Sequence, residues 1–136
     1  MRIVLDEGAI KPTKAHREDA GFDLYSTETH NIPARGFCTF GTGVHMQIPK
    51  GYAGVLVSKS GLNVRENITS TGLIDSGYTG EIKVKLYNHG FQDFEIKKGD
   101  RISQIVLIPI LETELEVVDT LSNTERGDKG FGSSGR

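Results

Sequence analysis

The sequence predicts an all-β protein, built as a sandwich of short antiparallel strands, and three observations lead to that fold class. Its 17 glycines and only 4 prolines separate many short apolar segments, which is typical of strands joined by turns. Residues 81–87 alternate strictly between polar and apolar side chains and place Ile82, Val84 and Leu86 on one face. No window of helical length keeps a 3.6-residue apolar repeat, and only the piece after Ser60 predicts one or two helical turns.

The size and charge of the chain limit its function. Its 136 residues fit one domain with a single core. A net charge of -2 and a pI near 6.1 argue against nonspecific nucleic-acid or membrane-surface binding, since such proteins carry a basic excess. The single cysteine, Cys38, excludes an internal disulfide, and the sequence has neither a secretory start nor a long apolar span. We therefore expect a cytoplasmic protein without a nucleic-acid or membrane partner.

The N-terminal part of the chain predicts two strands around a polar loop. Residues 2–5 form a first or edge strand, and a loop follows at 8–19. In the next segment, AGFDLYS, the side chains of Phe22 and Leu24 alternate with that of Asp23, which we expect to face away from the core. On this segment alone, the simplest interpretation of Asp23 is a solvated strand carboxylate.

The following region is expected to be framework. Turns are predicted at 33–36, 41–43 and 49–51, with a strand at 44–48 between the last two. No histidine has a cysteine or a second histidine at ligand spacing, so a zinc site is not expected. We interpret all four as structural or exposed: His16, His30, His45 and His89.

A strand at 52–57 leads into the segment SKSGL, where a phosphate cradle is one interpretation. Backbone N–H groups at the start of a short helix, beside the hydroxyl of Ser60 and the charge of Lys59, are suited to bind phosphate. The alternative is that Ser60 only caps the helix.

Residues 72–88 predict a hairpin that carries one acid and one aromatic side chain. Ser76 and Gly77 form the turn, and Asp75 and Tyr78 flank it. The alternative is an ordinary surface hairpin in which the carboxylate of Asp75 caps its own turn.

The C-terminal third predicts two further strands and a tail. Strands are expected at 91–96 and 101–111, and residues 105–108 are apolar on both faces, as in a sandwich core or a subunit contact. We expect Asp100 and Arg101 to be structural, turning the loop and pairing locally. The tail formally fits the dinucleotide pattern G-x-G-x-x-G, but no strand leads closely into it and no helix can follow, so that pattern is not favoured. A flexible Gly-Ser linker is the second interpretation of this segment.

Five motifs in chain order resemble those of the trimeric dUTP nucleotidohydrolases, the dUTPases. They are AGFDLYS at 20–26, SKSGL at 58–62, GLIDSGYTGEI at 72–82, GDRISQ at 99–104 and RGDKGFGSSG at 126–135. The resemblance implies a jelly-roll-like β-sandwich at 1–122 and a flexible C-terminal arm at 123–136 that closes over the active site. It also implies a homotrimer with three active sites between subunits, and hydrolysis of dUTP to dUMP and pyrophosphate with Mg²⁺. That reaction would keep uracil out of DNA and supply dUMP for thymidylate synthesis.

The resemblance assigns the chemistry and the nucleoside to the hairpin. Asp75 orients and deprotonates the water that attacks the α-phosphorus. Tyr78 packs against the sugar and leaves no space for a 2'-hydroxyl. The remaining residues assigned to this part of the substrate are Thr71, Gly72, Leu73 and Ile74, whose backbone reads uracil, and Lys83 on the returning strand.

The resemblance assigns the metal and the phosphates to other segments. Asp23 holds water molecules of a Mg²⁺ ion bound to the triphosphate. Phosphate contacts fall to Lys59, Ser60, Gly61 and Gln104, although Lys59 stands where arginine is usual and lacks its bidentate fork. In the arm, Arg126 contacts the terminal phosphate and Phe131 stacks on uracil, and the rest of that motif is Gly132 and Ser133.

Three alternatives remain beside this hypothesis. The related dCTP deaminases need a glutamate on the strand after the hairpin, and residues 83–88 contain no acid. A regulatory binding protein that senses nucleotide is a second possibility, and a regulatory protein partner is expected if the chain is phage-encoded. A structural jelly roll, such as a lectin or capsid module, has no need of five ordered site motifs.

Overall fold

The computed structural model describes residues 1–130, which form nine β-strands and one short helical turn of the π type at Gly61–Arg65. The strands are β1 Arg2–Leu5, β2 Gly21–Tyr25, β3 His30–Ile32, β4 Phe37–Gln47, β5 Tyr52–Val57, β6 Ile68–Ile74, β7 Glu81–Asn88, β8 Phe94–Ile96 and β9 Arg101–Pro109. The predicted all-β class and the single helical turn after Ser60 are therefore confirmed.

Seven strands form one curled sheet around a single core. Their order is β1-β4-β7-β6-β5-β9-β2, every pairing is antiparallel, and β3 and β8 form a separate two-stranded sheet. The core lies inside the curl, and its largest fully buried side chain is Phe40. Ile82, Val84 and Leu86 are also fully buried, as the alternation in β7 predicts.

The predicted hairpin is only partly correct. The turn at Ser76 and Gly77 is present, but β6 and β7 pair only over residues 68–70 and 86–88. Beyond that point residues 71–74 pair with β5 instead, so the two strands diverge toward the turn. The strands separate because β6 changes partner, which local sequence does not reveal.

The turn expected at residues 41–43 is instead a bulge inside one long strand. Pairing between β4 and β7 is interrupted between Gly41 and His45, and Gly43 has a φ of +63°, a conformation suited to glycine. The Thr42 hydroxyl donates to the carbonyl of Ile82 at 2.6 Å, and the Glu81 carboxylate accepts the Gly43 N–H at 3.0 Å. The bulge is thus fixed by side chains.

The predicted strand at 101–111 ends at Pro109. Its apolar segment at 105–108 is less buried than that of a core strand, in which the side chains on both faces are covered. Ile105 is fully buried, Val106 and Leu107 are half-buried, and Ile108 is exposed in the single chain. Residues 110–130 have no regular secondary structure and expose large apolar side chains at Leu111, Leu115, Val117 and Leu121. Within residues 1–130, no helix has the length and apolar character needed to cross a membrane.

Replacing Glu28 with alanine is expected to lower the free energy of unfolding by about 1 kcal/mol, because its carboxylate accepts the Gly41 N–H of the bulge at 3.0 Å. This hydrogen bond holds the pKa of Glu28 below its ordinary value of 4.5. The contribution is therefore present above pH 4.5 and is lost as the pH falls through the lowered pKa. Urea unfolding of the wild type and of Glu28→Ala at pH 7 and pH 3 measures this contribution. An equal difference in the free energy of unfolding at the two pH values would contradict the prediction.

Candidate active site

Asp23 is buried, which corrects the expectation that it faces solvent. Its exposed fraction is 5%, because two cations from other parts of the chain cover its carboxylate. Lys59 Nζ donates to Asp23 Oδ1 at 2.6 Å, and Arg101 Nε lies 3.6 Å from Oδ2. The two cations offset the cost of burying a carboxylate.

Arg101 corrects a second expectation, since it pairs across the sheet rather than locally. It opens β9, which runs antiparallel to the strand that carries Asp23, so register brings the two side chains together. Asp100 is structural, as expected: its carboxylate accepts the Lys97 N–H at 2.8 Å. An arginine at the start of a strand is a weak signal by itself, because only the pairing of β2 with β9 identifies its partner.

A cleft of about 300 Å³ lies beside this ion-pair group. Three cations line it, two from the group and one from the helical turn: Lys59, Arg101 and Arg65. Gly61, predicted to contact phosphate, also lines this cleft. Ser60 stands at the helix N-cap but makes no side-chain capping hydrogen bond, so the capping alternative is not supported. Arg65 is not among the residues predicted from the sequence, where it stands out only as a basic residue at the end of a short helical segment.

Gln104, which the resemblance assigns to a phosphate contact, lies close to the same ion-pair group. It is directly opposite Asp23 in the β2-β9 register, and its Nε2 donates to the Ser58 carbonyl at 3.4 Å. Ser58 in turn bonds to both the N–H and the carbonyl of Ser70, which ties the end of β5 to β6. The motifs that contain Asp23, Lys59 and Gln104 therefore meet in one place. We call the cleft beside them, lined by Lys59, Arg65 and Arg101, the cationic cleft.

The donor set of the cationic cleft suits a magnesium ion held mainly by its ligand. Within residues 1–130, no three His, Cys, Asp or Glu side chains cluster closely enough to cage a metal. Two carboxylates are near, Glu66 in the lining of the cleft and the buried Asp23 behind its cations, and those cations suit phosphate oxygens. Mg²⁺ keeps several waters and usually binds one or two carboxylates together with substrate phosphates, so these residues fit such an ion.

The residues assigned to the hairpin border a separate cleft of about 290 Å³ where β6 and β7 diverge, which we call the hairpin cleft. Residues 71–74 and 81–85 have no ladder partner on the edges that face each other, so their backbone donors and acceptors there are open to a ligand. The side chains that line it are Leu73, Ile74, Asp75, Tyr78, Glu81 and Lys83.

Asp75 is exposed at the mouth of the hairpin cleft. Its carbonyl accepts the Tyr78 N–H at 3.1 Å and so forms the turn. Among residues 1–130, its carboxylate has no hydrogen-bond partner, so the alternative in which this group caps the turn is not supported. The carboxylate is therefore available to a water molecule or a ligand.

Tyr78 has a defined position in the same cleft. Its hydroxyl donates to the Glu81 carbonyl at 2.9 Å, and its ring lies over Gly80. A Cβ on Gly80 would lie 2.5 Å from the tyrosine oxygen, so only glycine permits this arrangement. The ring is 46% exposed in spite of these contacts and offers one face to the cleft.

The two clefts have no lining residue in common and lie apart in one chain. Val57 pairs with Thr71, Lys59 lies beyond Val57, and Asp75 lies beyond Thr71 in the opposite direction. At ~3.3 Å per residue, the part of β6 from Thr71 to Ile74 alone spans about 10 Å, and Lys59 and Asp75 lie beyond opposite ends of this paired segment. A single chain therefore does not bring the predicted catalytic acid to the predicted phosphate ligands.

The predicted arm residues are described only in part. Arg126 lies in an exposed turn, where its Nε donates to the Lys129 carbonyl at 3.1 Å. Phe131, Gly132 and Ser133 lie outside the described residues.

A curled β-sheet that carries a cationic cleft, and a second cleft of open backbone edges beside one carboxylate, suits the class of hydrolases that act on phosphorylated ligands. The sequence model of the dUTPase family matches residues 7–135. The chain therefore belongs to the dUTPase family.

Relatives and solved structures agree with this assignment. The deoxyuridine 5'-triphosphate nucleotidohydrolase of Clostridium acetobutylicum is 42% identical over 96% of this chain and 92% of its own length. That of Candida albicans is 46% identical over 92% of this chain and 80% of its own. A dUTPase of Staphylococcus bacteriophage 80alpha with dUpNHpp superposes with a TM-score of 0.93 at 32% identity, covering 99% of this chain and 98% of that one.

One further structure is described as containing a metal. The dUTPase of phage phi11 of S. aureus superposes with a TM-score of 0.82 at 28% identity, covering 88% of this chain and 96% of that chain. It is described as revealing how a structural Mg(II) ion is coordinated in that protein.

Proposed function

We propose that the protein hydrolyses dUTP to dUMP and pyrophosphate, with Asp75 as the general base. The observation that carries this proposal is the free carboxylate of Asp75 at the mouth of the hairpin cleft, one turn away from Tyr78. A water molecule bound to Asp75 is oriented toward the α-phosphorus, and Asp75 accepts its proton as the oxygen attacks. The bond from the α-phosphorus to the bridging oxygen breaks, and pyrophosphate leaves.

The open backbone edges of the hairpin cleft account for selection of uracil. Backbone groups of residues 71–74 present fixed donors and acceptors, and a base with a mismatched edge leaves some of them unpaired. Tyr78 is held against Gly80, and the sugar packs against its ring with no space for a 2'-hydroxyl. The side chain of Lys83 borders the same cleft.

The cationic cleft accounts for binding of the triphosphate. Lys59, Arg65 and Arg101 offset the phosphate charge, and Gly61 lets the chain approach closely. Asp23 holds the two nearest cations in place and is also the carboxylate that we propose for the water shell of a metal ion. When bound to the triphosphate, Mg²⁺ would neutralise charge on its oxygens. Arg126, Phe131, Gly132 and Ser133 are proposed to close over the nucleotide.

We further propose that the active site is assembled between subunits of a homotrimer. The two clefts share no lining residue and lie beyond opposite ends of the paired segment of β5 and β6, which supports this proposal, because the α-phosphorus must lie close to both groups. The apolar side chains of residues 110–121 are exposed in the single chain, which supports burial against another subunit. One subunit supplies the cationic cleft, a second the hairpin cleft and a third the arm.

Pyrophosphate release from dUTP, dTTP, dCTP and UTP with Mg²⁺ tests the reaction and its selectivity. We expect hydrolysis of dUTP alone, because a 5-methyl group, a 4-amino group or a 2'-hydroxyl each conflicts with the hairpin cleft. Release of ammonia from dCTP would favour a deaminase instead. Tight binding of dUTP without hydrolysis would favour a nucleotide sensor.

A regulatory protein partner and a cytoplasmic location stay predictions. dUTPases of phage 80alpha are described as controlling the transfer of virulence genes, and one such structure superposes on this chain with a TM-score of 0.93 at 32% identity. A partner of this kind is proposed for the present chain only if it is phage-encoded.

A further inference from the structure

The loop that carries Tyr78 is fastened to the β4 bulge at two points. On one side, the Glu81 carboxylate accepts the Gly43 N–H at 3.0 Å. On the other side, Nδ1 of His45 lies 3.0 Å from the carbonyl of Thr79, the residue directly after Tyr78. Both anchor points on β4 lie within three residues of each other, so the bulge sets the position of the loop.

The second ring nitrogen of His45 also faces an acceptor. Nε2 lies 3.2 Å from both carboxylate oxygens of Asp6, and the backbone N–H of Asp6 donates to the Gly43 carbonyl at 2.8 Å. A neutral imidazole can donate through only one nitrogen, whereas the protonated ring donates through both. Only the protonated ring satisfies the Thr79 carbonyl and the Asp6 carboxylate together.

The electrostatic surroundings of His45 favour its charged form. The Thr79 carbonyl, followed by the Asp6 carboxylate, raises the pKa of His45 above its ordinary value of 6.5, although partial burial opposes them. Two acids face the ring, Asp6 from the loop after β1 and Glu81 from β7, and Arg2 of β1 lines the same surface cavity. The contribution of protonated His45 to the stability of the fold is complete below pH 6.5 and is lost as the pH rises through the raised pKa of His45.

We propose that His45 is a positioning residue for Tyr78, which in its protonated form holds the Thr79 carbonyl and thereby fixes the tyrosine ring against the deoxyribose. This inference rests on the proposed function. The Tyr78 hydroxyl bonds to the Glu81 carbonyl, which holds the far end of the ring, and His45 holds the backbone of Thr79, directly after Tyr78. When His45 loses its proton, the one N–H that remains stays with the charged Asp6 carboxylate, the stronger acceptor. The Thr79 carbonyl then loses its donor and the loop gains freedom, so a ribose is excluded less strictly.

The ratio of kcat/KM for dUTP to kcat/KM for UTP, measured from pH 5.5 to pH 9, tests this proposal. In the wild type we expect the ratio to fall about threefold to tenfold above the pKa of His45, as for loss of one hydrogen bond. His45→Ala is expected to give the lower ratio at every pH. His45→Asn keeps an N–H donor near the position of Nδ1 without a titrating group, and its ratio is expected to stay high and independent of pH.

Two further measurements separate positioning from general stability. NMR titration of the His45 ring should give a pKa above 6.5 in the wild type and a lower value in Asp6→Asn. His16→Asn, in the exposed loop before β2, is the matched control and should leave the ratio and its pH dependence unchanged. Tyr78→Ala defines the ratio that remains without the ring.

The outcomes distinguish this inference from the proposed function. If dUTP is hydrolysed but the ratio is independent of pH and equal in wild type and His45→Asn, the positioning role is wrong and the function stands. A His45 pKa at or below 6.5 also overturns the role, and this result does not depend on activity. If dUTP is not hydrolysed at all, the function fails and the positioning role fails with it.

Discussion

Asp75→Asn is expected to lower kcat for dUTP by about 100- to 10,000-fold, because an amide cannot accept the proton of the attacking water. The substitution keeps the size of the side chain and leaves the turn intact, since the turn uses the backbone carbonyl of Asp75 rather than its carboxylate. KM for dUTP should therefore change little. Single-turnover measurement of dUMP formation, beside equilibrium binding of dUTP, separates the chemical step from binding.

A control for this experiment comes from the exposed loop before β2. Glu18→Gln removes one carboxylate charge at a surface position and should retain wild-type kcat. Wild-type kcat in Asp75→Asn would falsify the general-base assignment. A large rise in KM with unchanged kcat would instead make Asp75 a binding residue.

Asp23→Asn is expected to raise the Mg²⁺ concentration for half-maximal activity by about 10- to 100-fold, the range found when groups that support a metal through its outer shell are removed. The asparagine oxygen can still accept a hydrogen bond from Lys59, so the strand keeps its packing while the charge is lost. Binding of Mn²⁺ to the complex of protein and nucleotide, followed by paramagnetic resonance, gives a readout that does not depend on turnover.

The same substitution should also affect stability, because the side chains of Lys59 and Arg101 lose their shared counter-ion. Urea unfolding of Asp23→Asn, Lys59→Met and the double variant measures the coupling between the two side chains. The double variant should be less destabilised than the sum of the single changes. An unchanged Mg²⁺ requirement in Asp23→Asn would show that the carboxylate serves only as the partner of Lys59.

Much of the fold could be read from the sequence because it depends on local patterns. The alternation of Ile82, Val84 and Leu86 identified the buried face of β7, and the glycine-rich spacing predicted short strands. Lys59 and Gln104 were identified through the resemblance of their short motifs to those of dUTPases, and the structure places both beside Asp23. Motifs of this kind can be recognised in a single sequence because each depends only on residue type and spacing within a short segment.

The tertiary structure decided what depends on pairing between distant segments. Asp23 is buried because Lys59 and Arg101 approach it from other strands, and strand alternation alone predicted the opposite. The hairpin cleft opens because β6 leaves β7 for β5, and the turn predicted near Gly43 became a bulge held by the Glu81 carboxylate. The sequence alone thus determined the all-β class, the buried face of β7 and a set of candidate site residues. Only the folded chain decided which of those residues meet, because strand order and register are set by contacts between segments far apart in sequence.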